Sequence, residues 1–108
     1  MELKDIVYID FKPISSHAML ISEFMEVYEY KKDNTRSDKV RGYKAEFVIS
    51  EGEAMGIRFA VEFDKVPMGA ELMHKYSIEF DEENSSVYAS KNKFGLQFKL
   101  VGLALIKE

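Results

Sequence analysis

The chain predicts a mainly β fold: a single small antiparallel curled sheet or open barrel with at most one or two short helices. Two observations carry that prediction. Apolar and polar residues alternate with a period of two over several short runs, the pattern of strands with one buried and one wet face. Turn-forming residues separate those runs at short, even intervals, which suggests about six or seven strands. A length of 108 residues fits one domain, 1–108. A domain of that size buries about two-thirds of the surface its unfolded chain exposes, enough for a core without covalent staples.

In chain order, a first strand is expected around Leu3–Phe11, ended by Pro13, Ser15 and Ser16. Residues 17–30, HAMLISEFMEVYEY, carry both periods. Ile21, Phe24, Met25 and Tyr28 fit a helix, whereas Met19, Ile21, Met25 and Val27 fit a strand with Glu23 out of phase. The density of aromatic and β-branched residues favours the strand, with a β-bulge near Ser22–Glu23 absorbing the phase error. A helix at 18–29, giving an α+β fold, is the alternative. Tyr43, Ala45, Phe47 and Ile49 form one apolar face, Ile57, Phe59, Val61 and Phe63 a second, and Tyr76, Ile78 and Phe80 a third. Residues 50–53 and 81–86 read as tight connections, and Ala70–His74 as a helix of one or two turns. In the C-terminal run, Phe94, Leu96, Phe98, Leu100, Ala104 and Ile106 line one face, with Gly102 allowing a bend. The opposite face turns from polar at Gln97 and Lys99 to apolar at Val101, Leu103 and Leu105, so this strand should end covered on both sides.

Composition excludes several functions. With no cysteine there is no disulfide, thiolate zinc site or cysteine nucleophile. The opening MELKDIVYID puts charges where a signal peptide needs an apolar core, and no apolar run approaches the ~20 residues of a membrane span. A cytoplasmic protein with no membrane partner is therefore expected. His17 and His74 are far apart and lack motif context, and no nucleophile elbow, zinc-protease or phosphate-loop motif is present. The expectation is binding without enzymatic activity, with no catalytic residue, metal or cofactor. Met19 and Met25 are expected to fill the core and Met68 to make an exposed contact.

Charge is unevenly placed. The net charge is −4, yet residues 31–44, KKDNTRSDKVRGYK, hold six basic groups against two acidic ones. Lys31, Lys32, Arg36, Lys39, Arg41 and Lys44 thus form a basic projection on an acidic body, flanked by Tyr28, Tyr30 and Tyr43. Cations beside stacking aromatics are how single-stranded nucleic acid is held without reading its sequence. A solvated hairpin loop has the same composition. A second candidate is the acidic set Glu79, Asp81, Glu82 and Glu83, which can present phosphate-like charge to a basic partner or simply guard a sheet edge.

The segments IVYIDFKPIS, SEFMEVYEY, KVRGYKAEFVI and FGLQFKLVGLALIKE resemble small accessory proteins of Gram-positive plasmids and conjugative elements. Within that pool the chain resembles the plasmid- and phage-borne anti-CRISPR proteins that inhibit type II-A RNA-guided effector nucleases. The resemblance implies a non-enzymatic inhibitor that binds the nuclease or its guide RNA and blocks guide-RNA loading. It also extends to conjugative-element proteins built on a single-strand-binding barrel, which implies the alternative, a single-stranded nucleic-acid-binding accessory protein. Either form is compatible with a monomer or a homodimer.

Overall fold

The computed structural model describes residues 9–33, 35–89 and 96–108. Among the described residues seven strands follow one another: β1 Ala18–Leu20, β2 Met25–Tyr30, β3 Arg36–Ile49, β4 Arg58–Phe63, β5 Lys75–Phe80, β6 Ser86–Ala89 and β7 Leu96–Lys107. Five of them run round in the order β1-β5-β7-β4-β3, and β1 pairs with β3 to close the ring. The mainly β expectation is met, with closure going one step beyond a curled sheet or open barrel. β2 extends the edge of β3, and β6 pairs with β7.

An odd number of strands cannot alternate in direction around a closed ring, so one pair must be parallel. That pair is β4 with β7, joined at Val61↔Leu100 and Glu62↔Val101; the other barrel pairs are antiparallel. The barrel is thus antiparallel apart from this one seam. Numbering the barrel strands alone, the order is 1-2-3-5-4 with strands 3 and 5 parallel, the connectivity of the OB barrel.

Residues 17–30 form strands β1 and β2, and the helix at 18–29 does not form. β1 lies antiparallel between β3 and β5, so a helix there would open the ring. The break falls where the bulge was expected: Ile21 N–H donates to the Glu46 carbonyl (3.0 Å) and Glu46 N–H donates to the Ser22 hydroxyl (2.8 Å). Of the expected first strand, residues 3–8 lie outside the described residues. Ile9 and Asp10 are not in a strand, and Phe11 leads into a 3-10 turn at Lys12–Ile14. Ala70–His74 is a chain of turns, pinned where the Tyr76 hydroxyl accepts from Glu71 N–H at 2.8 Å.

Alternation supplies the core. Ala45, Phe47 and Ile49 of β3 face Val61 and Phe63 of β4, Tyr76, Ile78 and Phe80 of β5, and Leu100 of β7. Phe59 stacks on Phe47 with centroids 6.0 Å apart, and Phe11 covers Phe80 at 5.0 Å. Ile57 lies outside β4 and is exposed. Met25 is 68% exposed, against expectation: it pairs with Lys44 on the outer face, while Met68 is fully exposed as expected.

The single apolar face expected for β7 is also corrected. A register shift opposite Glu79/Phe80 places Leu105 opposite buried Ile78, and Ala104 and Ile106 opposite Glu79 and Ser77. Ile106 is accordingly 57% exposed, and β7 is not covered on both sides at its end. Phe94 lies outside the described residues. Gly102 sits at the shift because a Cβ there would stand 2.4 Å from the Phe63 ring. No helix among the described residues is long and apolar enough to cross a membrane.

The start of β1 is clamped to the end of β7. His17 adopts φ 58°, sparsely populated for a residue with a side chain. Its amide donates to Glu108 Oε2 at 2.6 Å, Ser77 Oγ donates to the same oxygen at 3.0 Å, and its Nδ1 lies 2.9 Å from carboxylates of both Glu51 and Glu108. The amide hydrogen bond from His17, foremost, holds the Glu108 carboxyl below its ordinary value of 4.5.

Two outcomes follow. Gly102→Ala should lower stability by about 1–3 kcal/mol, read from urea midpoints, and Phe63→Leu in the same chain should recover part of it. Because the Glu108 pKa is depressed on folding, its contribution is complete above pH 4.5 and is lost as pH falls through the folded value. Glu108→Gln should therefore lower stability at pH 7 and flatten its loss below pH 4.5.

Candidate functional site

Because the odd positions of β3 and β4 fill the core, their even positions form an outer face: Lys44 and Glu46 on β3, Arg58, Ala60 and Glu62 on β4. The β2–β3 hairpin stands on one side of this face and the β6–β7 hairpin on the other. Between them lies a cleft of about 250 Å³, lined among others by Val27, Arg41, Lys44, Glu62, Phe98 and Lys99. A second cleft, of about 240 Å³, shares Arg41, Glu62 and Lys99 and runs on to Asp81 and Asn84.

Local irregularity aims Arg41 into this groove. β2 and β3 pair at Val27↔Gly42 and then at Tyr28↔Val40, so Arg41 is the extra residue of a bulge. Gly42 beside it allows close approach to β4, since a Cβ would lie 2.7 Å from the Phe63 carbonyl. The Arg41 guanidinium grips Glu62 through two hydrogen bonds, Nε to Oε1 at 2.8 Å and Nη2 to Oε2 at 3.1 Å. Lys44 and Lys99 line the same cleft, and Phe98 is 54% exposed in it.

The rest of the basic projection forms the hairpin tip. Lys31 N–H donates to the Thr35 carbonyl at 2.8 Å, and Thr35 donates from both Oγ1 and N to Asp33. The Oγ1 bond first, then the amide, holds the Asp33 carboxyl below its ordinary value. Lys31 and Lys32 are exposed. Arg36 lies over the Tyr28 ring, 4.6 Å from its centroid, and Lys39 reaches Glu29 at 3.8 Å. The Tyr28 hydroxyl donates to Glu26, a bond that raises the phenol above its ordinary value.

The expected basic set therefore divides. Arg41 and Lys44 enter the cleft, whereas Lys31, Lys32, Arg36 and Lys39 run along the hairpin beside exposed Tyr30 and half-buried Tyr28. Tyr43 lies on the inward face of β3 with Ala45 and Phe47, away from Lys44. Of the acidic set, Asp81 ties down its own turn by accepting from the amide and side chain of Asn84. Glu79, Glu82 and Glu83 are exposed. Among the described residues no group of side chains could hold a metal ion.

Sequence reasoning missed Glu62, Phe98 and Lys99 as site residues. Gln97 and Lys99 were visible as polar positions of β7, but nothing local joins them to Lys44, more than fifty residues earlier. Only the β4–β7 join makes them neighbours. Comparisons of the chain with protein-family models, with curated proteins and with solved structures returned no match.

Proposed function

We propose that this protein binds single-stranded nucleic acid, holding a strand across the outer face of β3 and β4 between its two hairpins. The observation that carries the reading is the cleft lined by Lys44, Lys99 and Arg41 together with exposed Phe98. Lysines neutralise phosphates, and an aromatic face stacks on any base, so this combination grips a strand without selecting its sequence. Its position agrees with the reading: OB barrels bind oligonucleotides on the face of their second and third strands, flanked by the loops joining strands 1–2 and 4–5. Here those strands are β3 and β4, and the loops are the β2–β3 turn and the β6-containing connection. The exposed lysines of the hairpin tip extend the positive path beyond the cleft. In keeping with the resemblance to proteins of conjugative elements, the role proposed is that of an accessory factor that binds strands exposed during transfer or replication.

Inhibition of a type II-A RNA-guided nuclease is a second reading, favoured by one observation. Glu79, Glu82 and Glu83 are exposed on and just after β5, available to a basic guide-RNA groove.

Titration of a labelled thymidine 20-mer at 50 mM and 200 mM salt tests the first reading. Wild-type protein should bind with marked salt dependence. Phe98→Ala should weaken binding about tenfold or more, in line with the loss of one stacked base. Lys44→Glu with Lys99→Glu should also weaken it and lower the salt slope by roughly 1.4, two single-strand phosphate contacts. No strand binding at 50 mM salt would overturn the reading. If the protein then displaced guide RNA from the nuclease, and Glu79, Glu82 and Glu83 to Lys abolished that effect, the second reading would stand.

A further inference from the structure

The Arg41–Glu62 pair has a feature that gripping a strand does not require. A groove built only to hold phosphates would leave its guanidinium available, yet here a carboxylate occupies one edge of it at 2.8 and 3.1 Å. Glu62 is not a loose surface neighbour: its side chain is 13% exposed against 42% for Arg41. It sits on β4 in the two-residue join to β7. Both residues line both clefts, so the pair stands where the two meet and a strand following the groove has to pass it.

We propose that Glu62 is a built-in competitor of the bound strand, a phosphate mimic that cancels the charge of Arg41 and keeps the groove's grip exchangeable. This rests on the single-strand reading above. Arginine has five N–H donors, and the pair with Glu62 engages Nε and Nη2, so a phosphate can approach the Nη1 side. With Glu62 in place the phosphate meets a neutral pair rather than a cation, and Arg41 contributes geometry without net attraction. Release of Arg41 from Glu62 adds one full charge to the site, beside Lys44 and Lys99. Glu62 is thus a positioning and affinity-setting residue, with no contact to the strand required of it.

The test is a cycle on the same thymidine 20-mer, using the full chain. Glu62→Gln removes the charge and keeps the shape and hydrogen-bonding reach. It should bind roughly tenfold more tightly than wild type at 50 mM salt, with a salt slope steeper by about 0.7, one added phosphate contact. Arg41→Gln leaves the carboxylate bare and should weaken binding. The Arg41→Gln/Glu62→Gln double variant should return to within about threefold of wild type, a coupling that a double-mutant cycle measures. Thermal melts of each variant report folding separately from binding. Unchanged or weaker binding by folded Glu62→Gln, while wild type binds, would overturn the competitor role and leave the strand-binding reading intact. Absence of binding by wild type overturns both.

Discussion

The join between β4 and β7 is two residue pairs long, Val61 with Leu100 and Glu62 with Val101, and it is the parallel contact that a five-stranded ring cannot avoid. Val61 is wholly buried and Leu100 nearly so, so the first pair belongs to the core. The second pair faces the groove: Glu62 meets Arg41 there, and Lys99 and Phe98 lie just before the join. The groove and the hydrophobic core are two faces of one short seam, and a change that loosens the seam acts on both.

Electrostatics at the groove is a matter of competing small terms. Exposed ion pairs are individually weak, about 0–1 kcal/mol, so pairs such as Lys39–Glu29 do little to hold the fold. Their importance is in what they leave for a ligand. Lys44 and Lys99 are offered to solvent in the cleft, whereas Arg41 is neutralised and Arg36 is committed to the Tyr28 face. A protein with a net charge of −4 can therefore present a positive path without being basic overall.

Most of the strands were legible because burial of one face imposes a period of two, and β3, β4 and β5 show it plainly. Two departures have different causes. Met25 points outward because it keeps the phase of Met19, both lying opposite the even positions Val48 and Lys44 of β3, whereas Ile106 is exposed because a register shift changes phase within β7, and such a shift leaves no mark in the local pattern. The ambiguity of residues 17–30 had a different origin: both periods were present, and pairing to β3 decided between them.

By itself the sequence determined the class of the fold and the placement of the basic hairpin, since alternation, turn residues and local charge are properties of neighbours along the chain. It marked Arg41 and Lys44 as candidates for the same reason. Ring closure, the parallel seam and the groove were decided by tertiary structure alone. Lys44, Glu62 and Lys99 are separated by eighteen and thirty-seven residues, and only the strand order of the barrel sets them side by side. A site assembled across strands depends on which edges pair, and edge pairing is decided by the packing of the whole core rather than by any one segment.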